Sequence, residues 1–142
     1  MEDRKNVLIL CTRNTARSQI AEALLKKHAA DRFNVYSAGL RPDTVHPFVE
    51  PVMNEIGVAV GGQYSKDVGE YLGKLTVHHL IIVCNQVEQH CPWLFPGALH
   101  RHFWPFDDPA AVEGTEDKRR DAFRRIRDQI DQRLQAWLSG GG

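Results

Sequence analysis

Apolar residues along this chain alternate between short continuous runs and stripes at helical spacing. Residues 7–10 form a run of the length and β-branching typical of a strand covered on both faces, and the run stops at Cys11. Beyond Ser18 the apolar positions lie on one helical stripe: Ile20, Ala21, Leu24, Leu25 and His28. The beginning of the chain is therefore predicted to fold as strand, short loop and helix.

The same alternation continues along the middle of the chain. A short strand is predicted at residues 33–36, a turn at 39–43, and a helix at 45–56 with Pro47 in its first turn and Gly57 at its end. A weaker helical segment follows at 67–72, and a second buried strand at 79–83 leads to Cys84. A fourth strand is predicted at 99–104, followed by an irregular loop around Asp107, Asp108 and Pro109.

The last helix has the clearest signals. Thr115 is a suitable N-cap, with Glu116 and Asp117 in the first turn. One apolar stripe continues along it: Phe123, Ile126, Ile130, Leu134, Trp137 and Leu138. The Arg and Asp residues between these positions are expected to face solvent.

Strands that alternate with helices predict an α/β fold with a three-layer arrangement, in which helices cover both faces of a four-stranded parallel sheet. The expected strand order is 2-1-3-4. Ligands of such sheets bind beyond the carboxyl ends of the strands where the winding reverses, here between the first and third strands. Cys11 and Cys84 follow those two strands.

Composition narrows the possible functions. The 142 residues suit one domain, expected to span residues 1–142, and 18 Lys+Arg balance 18 Asp+Glu. No excess of positive charge favours a nucleic acid or an anionic membrane as partner. The apolar runs are too short for a signal peptide or a membrane span, so we expect a cytoplasmic protein whose three cysteines are reduced.

The segment from Cys11 to Ser18 carries the strongest chemical signal. It places a thiol and the guanidinium of Arg17 at the junction of a buried strand and a helix N-terminus. A loop in this position directs backbone N–H groups inward and adds the positive end of the helix dipole, which together bind a tetrahedral oxyanion. We expect this environment to lower the pKa of the Cys11 thiol and make it a nucleophile. The predicted oxyanion-binding residues are Thr12, Arg13, Asn14, Thr15, Ala16, Arg17 and Ser18.

These residues resemble a known family. Residues 7–12, together with Asn14, residues 17–19 and residues 21–22, are similar to the loop of the low-molecular-weight protein tyrosine phosphatases and of the arsenate reductases that share their fold. The resemblance continues through most of the chain, at residues 35–39, Gly62, 65–66, Cys84, Cys91 and 104–110. The two downstream cysteines indicate the thioredoxin-coupled arsenate reductase branch, because phosphatases of this fold need one reactive thiol.

The resemblance implies a three-cysteine relay. Cys11 attacks arsenate, Cys84 attacks Cys11 to release arsenite, and Cys91 attacks Cys84 to leave a disulfide that thioredoxin reduces. Arg17 binds the oxyanion, and Asp108 is the acid that protonates the leaving oxygen. We expect arsenate and thioredoxin as partners, no bound cofactor, no nucleic acid or membrane partner, a monomeric protein and weak phosphatase activity.

The sequence departs from the family pattern at two loop positions. Arg13 replaces a residue that is most often Gly and adds a cation at the mouth of the loop. Ala16 replaces a second loop cysteine that many members carry, which the relay does not require. Local sequence alone favours a turn or helix start for the Asp108-Pro109 pair, and only the longer resemblance assigns Asp108 to catalysis.

Two alternatives remain open. The first is a phosphatase that acts on phosphotyrosine or a small phosphate ester. The second is a non-catalytic regulator that binds an oxyanion or a metal, since five histidines lie near Cys84 and Cys91 in sequence: His78, His79, His90, His100 and His102. No pair of cysteines has the short spacing of a structural zinc site, so no metal site is predicted.

Overall fold

The computed structural model describes residues 4–39, 41, 43–71, 73–84 and 97–140. In this part of the chain four strands form one parallel sheet with the order β2-β1-β3-β4, which confirms the predicted topology. The strands are β1 (Lys5–Cys11), β2 (Phe33–Gly39), β3 (His79–Ile82) and β4 (His100–Phe103). The side chains of residues 7–10 on the central strand β1 are fully buried, so both faces of the sheet are covered there.

Three α-helices surround the strands in the described residues: α1 (Arg17–Ala29), α2 (Val49–Asn54) and α3 (Glu116–Ser139). Two 3-10 turns, Val68–Glu70 and Pro109–Ala111, complete the elements. As predicted, Thr115 caps α3, where its hydroxyl accepts a hydrogen bond from the N–H of Lys118. None of the helices in the described ranges is long and apolar enough to cross a membrane.

The predicted helix at 45–56 is wrong in its first turns. Helix α2 begins only at Val49, after Pro47, because the N–H of His46 donates to the carbonyl of Thr15 and holds this stretch against the loop that follows β1. The predicted helical segment at 67–72 is a single 3-10 turn, capped by Asp67 next to an isolated bridge to Gly39. Tertiary hydrogen bonds override local periodicity at both places.

One charged residue of α3 also differs from expectation. Arg127 was predicted to face solvent with the other charges of this helix, but only 8% of it is exposed. Its guanidinium donates to the carbonyl oxygen of Val52 in α2 and to the carboxylate of Glu55 just beyond that helix. These hydrogen bonds at the end of α2 offset the cost of removing the Arg127 guanidinium from water. The cation is therefore tolerated between α2 and α3.

Candidate active site

The candidate site lies where β1 ends and α1 begins. Cys11 is the last residue of β1 and Arg17 is the first residue of α1, so residues 12–16 form the connecting loop. The N–H of Val83, just beyond β3, donates to the carbonyl of Leu10, which brings the ends of β1 and β3 together. This is the switch point that the strand order predicts.

The carbonyl groups of the loop are all directed away from its centre. Four consecutive carbonyl oxygens accept hydrogen bonds from outside the loop: Thr12 from the Arg41 N–H, Arg13 from the Ser65 hydroxyl, Asn14 from the Gln19 amide and Thr15 from the His46 N–H. The amide N–H groups are therefore left to the inner side of the loop. Ala16, at the N-cap position of α1, forms no side-chain cap, so the positive end of the helix dipole adds to these N–H groups.

Two residues allow the loop to take this path. Asn14 has a φ of 58°, a left-handed conformation that Asn tolerates better than most residues. Gly39, the last residue of β2, packs directly below the loop, and a Cβ atom there would lie 2.8 Å from the carbonyl oxygen of Thr12. Only glycine permits this close approach of the strand end to the loop backbone.

The loop encloses a cavity of about 70 Å³. Its lining consists of Cys11, Thr12, Arg13, Thr15, Ala16, Arg17 and Asp108. This volume suits an inorganic anion, whereas pockets for larger organic ligands occupy about 300–1,000 Å³. The structure thus brings Asp108, which lies far from Cys11 and Arg17 in sequence, to the same small cavity as those two residues.

Arg17 and Asp108 face each other at this cavity. The Arg17 side chain is 4% exposed; its Nη1 donates to the carbonyl oxygen of Phe106 at 2.9 Å, and its Nη2 lies 3.9 Å from Asp108 Oδ2. The other carboxylate oxygen of Asp108 accepts a hydrogen bond from the N–H of Ala110 and caps the Pro109–Ala111 turn. Asp108 therefore has both the turn role that local sequence favours and a position at the cavity.

Buried polar side chains support the loop from below. Asn14 Nδ2 donates to Ser18 Oγ at 2.7 Å and to Ser37 Oγ at 2.9 Å, and the Ser37 hydroxyl donates to Glu22 Oε1. Asn14 and both serines are fully buried. Satisfied polar networks of this kind hold a loop in one conformation.

Several residues that hold the loop have no predicted role in it, although four of them lie in segments that carry the family resemblance: Gln19, Gly39, Arg41, His46, Ser65 and Phe106. Most act through one backbone or hydroxyl contact to a partner that lies far away in sequence. No local pattern identifies such contacts. Gly39 offered a weak signal, because a glycine at the end of a strand indicates close backbone approach.

The expectation of reduced cysteines is wrong for one of the two that the structure describes. Cys11 is a buried, reduced thiol at the cavity, and Cys84 is fully buried and disulfide-bonded. Cys91 lies outside the described residues. The relay that the resemblance implies among the three cysteines therefore stays a prediction.

Three of the histidines gather away from the cavity, between β3, β4 and α3. His79 Nδ1 lies 3.1 Å from His102 Nε2, and the rings of His79 and His100 stack at 5.1 Å. Burial, with His102 and His100 as the next causes, lowers the pKa of His79 to about 4, and burial also lowers the pKa of His102. Among the described residues, no group of three or more His, Cys, Asp or Glu side chains could hold a metal ion.

Comparison with known proteins agrees with this geometry. The family described as low molecular weight phosphotyrosine protein phosphatase matches residues 6–140. An arsenate reductase of Bacillus licheniformis is 36% identical over 141 residues, which cover 97% of this chain and 98% of that protein.

Solved structures show the same architecture. A structure described as an arsenate reductase in the phosphate binding state has a TM-score of 0.75 and 26% identity, covering 96% of this chain and 98% of the other. A thioredoxin-dependent arsenate reductase of Corynebacterium glutamicum has a TM-score of 0.69 and 24% identity over 98% of this chain and 62% of its own. This last likeness concerns the fold alone.

Proposed function

This chain belongs to the low molecular weight phosphotyrosine protein phosphatase family, and within that family we propose that it is an arsenate reductase. The observation that carries the proposal is the pair of cysteine states at the adjoining ends of β1 and β3. Cys11 is reduced at an oxyanion-sized cavity, while Cys84 takes part in a disulfide. A phosphatase needs only the first thiol, whereas a reductase also needs thiols that accept the oxidising equivalents.

The first chemical step is attack of the Cys11 thiolate on arsenate. A sulfur–arsenic bond forms, an arsenic–oxygen bond breaks, and the oxygen leaves as water with a proton from Asp108. The inward N–H groups of the loop and the Arg17 guanidinium bind the remaining oxygens. Arsenic stays pentavalent in this covalent intermediate.

Reduction occurs when Cys84 attacks the sulfur of Cys11. A Cys11–Cys84 disulfide forms, the sulfur–arsenic bond breaks, and its electron pair stays on arsenic, which leaves as arsenite. Cys91 then attacks Cys84, and Cys11 departs as a thiolate while a Cys84–Cys91 disulfide remains. The disulfide at Cys84 supports a redox role for this cysteine.

The two electrons that the cycle consumes must come from an external dithiol. We propose thioredoxin, because the resemblance of the downstream cysteines is to the thioredoxin-coupled branch. Such a relay fits a reducing compartment, the cytoplasm. We propose no bound cofactor, and a monomer as the working unit.

Arsenate-dependent oxidation of NADPH in the presence of thioredoxin and thioredoxin reductase tests this function. We expect turnover by the unmodified protein and none after Cys91→Ser, because that variant cannot pass the disulfide on. Mass spectrometry after one turnover should find a Cys84–Cys91 bridge. A Cys91→Ser variant that turns over at the unmodified rate would exclude the relay.

A phosphatase activity is the second candidate, favoured by the same cavity. A thiolate within an oxyanion loop also suits attack on a phosphate ester. We propose weak hydrolysis of an aryl phosphate as a side activity that needs Cys11 and Asp108 but not Cys91. Efficient ester hydrolysis without any arsenate reduction would identify a phosphatase instead.

A further inference from the structure

An ion pair lies buried beneath the loop without lining the cavity. Lys66 is 5% exposed and Glu22 is 4% exposed. Lys66 Nζ lies 3.6 Å from Glu22 Oε1, donates to the carbonyl oxygen of Tyr64 at 2.7 Å, and stands 4.6 Å from the centre of the Tyr64 ring. Nothing in the proposed chemistry uses either charge.

Burial of an ammonium group is costly unless its surroundings compensate for it. Burial lowers the pKa of Lys66, and the carboxylate of Glu22 opposes this shift. A second ammonium, on Lys26, contacts the other oxygen of Glu22 at 2.6 Å but is 47% exposed. Glu22 therefore receives one buried and one exposed cation.

A network of hydrogen bonds connects Glu22 to the loop through Ser37 and Asn14. An ionised carboxylate only accepts hydrogen bonds, so the Ser37 hydroxyl must donate to Glu22. Ser37 Oγ then accepts from Asn14 Nδ2, which also donates to Ser18 Oγ. Because Ser18 Oγ accepts from Asn14, the hydroxyl proton of Ser18 points away from Asn14.

Lys66 also determines which way the Asn14 amide faces. The backbone N–H of Lys66 donates to Asn14 Oδ1 at 2.8 Å, and this contact requires the amide nitrogen to face the two serines. Lys66 therefore contacts both ends of the hydrogen-bond network that runs from Glu22 through Ser37 to Asn14. Its ammonium group faces Glu22, and its backbone N–H orients the Asn14 amide.

We propose that the buried ammonium of Lys66 positions the oxyanion loop through Glu22, Ser37 and Asn14. Lys66 is a positioning residue, because it touches neither the anion nor Cys11. The inference rests on the proposed oxyanion site but does not require arsenate as the substrate. According to this proposal, Lys66 influences both the pKa of Cys11 and the affinity of the loop for an anion.

The test replaces Lys66 with methionine, which keeps most of the length of the side chain and removes its charge. Two quantities are measured: the pH dependence of Cys11 alkylation by iodoacetamide, followed by mass spectrometry of the Cys11 peptide, and the protection that sulfate gives against it. We expect the apparent pKa of Cys11 to rise and the sulfate Kd to rise about threefold to tenfold.

Lys26→Met is the matched control, because it removes the other ammonium that contacts Glu22. The exposed position of Lys26 makes its interaction weak, so less than a twofold change in sulfate Kd is expected. Equal effects of the two replacements would overturn the proposal, since it depends on the buried ammonium.

Two further variants separate positioning from a general loss of stability. Ile130→Val weakens the core at α3 and should leave the sulfate Kd unchanged even if it lowers Tm as much as Lys66→Met does. Ser37→Ala removes the hydroxyl that links Glu22 to Asn14. This replacement should by itself raise the sulfate Kd and the apparent pKa of Cys11. In the Ser37→Ala background, Lys66→Met should add less than a twofold change.

Each contrary result contradicts the proposal. The same Lys66→Met effect in both backgrounds would show that Lys66 does not act through Ser37. If Lys66→Met does not fold, a Ser37→Ala protein with unaltered sulfate affinity and Cys11 titration overturns the inference by itself. Sulfate binding without arsenate reduction in the unmodified protein would instead contradict the proposed function and leave this inference standing.

Discussion

Polar side chains are buried in two regions of this molecule, and the regions use them differently. Beneath the loop, Asn14, Ser18, Ser37 and Glu22 form hydrogen bonds that lead toward the cavity. Between β3, β4 and α3, histidine rings instead pack against aromatic rings, with Trp137 at the centre. Burial of polar groups alone does not identify a site. The distinguishing feature is that donors and charges converge on a cavity.

The chemistry of the two regions follows from this difference. The loop combines inward N–H groups, a helix N-terminus and the Arg17 guanidinium, so it presents positive charge to a ligand. In the histidine region, His79 and His102 direct ring nitrogens at each other, and burial lowers the pKa of both. At neutral pH these two rings are uncharged and act as packed aromatic groups.

The sharpest separation of the regions comes from activity. Cys11→Ser should reduce arsenate turnover by roughly 10⁴-fold or more, because the nucleophile is lost. His79→Gln should change turnover less than twofold at pH 7.5. The thioredoxin-coupled NADPH assay measures both, and a large loss in His79→Gln with unchanged Tm would show that the regions are functionally connected.

Crowding the loop from below should have the next largest effect. Gly39→Ala places a Cβ atom within 2.9 Å of three backbone atoms of the loop, so the loop must shift. Displacement on the order of an ångström can cost about 100-fold in function, and we expect a loss of this size in turnover.

Gly61→Ala is the control for Gly39→Ala, because no atom lies within 4 Å of its added Cβ. This variant should retain the turnover and the sulfate affinity of the unmodified protein. Equal activity of the two alanine variants would contradict the close packing of β2 against the loop.

The histidine region should make stability depend on pH. The pKa of His79 is about 4 in the folded protein and about 6.5 in the unfolded chain, so only the unfolded chain binds this proton between those values. The contribution of His79 to the free energy of unfolding is therefore fully present above about pH 6.5. It is lost as the pH decreases toward 4, which lowers the free energy of unfolding by on the order of 2–3 kcal/mol.

Urea denaturation at pH 7.5 and pH 5.0 measures this dependence. His79→Gln cannot take up the proton and should have a flatter stability profile between these two pH values. An unchanged profile in that variant would place the pH dependence elsewhere in the molecule.

The smallest effect is expected where only ring packing changes. Trp137→Phe replaces the indole with a smaller ring and so reduces the contact that residue 137 makes with four rings: Phe33, His79, His102 and Trp104. We expect a loss of about 1 kcal/mol in the free energy of unfolding and no change in sulfate Kd. A weakened sulfate affinity would show that the packing of rings on α3 affects anion binding at the loop.

Much of the fold follows from local patterns in the sequence. The buried run at residues 7–10, the stripe of α3 and the Thr115 cap each appear as predicted, because hydrophobic period and capping chemistry act over a few residues. The strand order also follows, since right-handed crossovers leave few arrangements. The first turns of the helix predicted at 45–56 do not form, because their conformation depends on a hydrogen bond to Thr15.

The sequence by itself determined the strand–loop–helix unit and the placement of Cys11 and Arg17 within it, because these residues are neighbours in the chain. Only the tertiary structure decided the outward direction of four loop carbonyls, the position of Asp108 opposite Arg17, and the burial of Lys66 beside Glu22. Apart from the contact between Asn14 and Gln19, these features join residues 29 to 91 positions apart. Contacts over such distances depend on how the whole sheet and its helices pack, and no local preference encodes them.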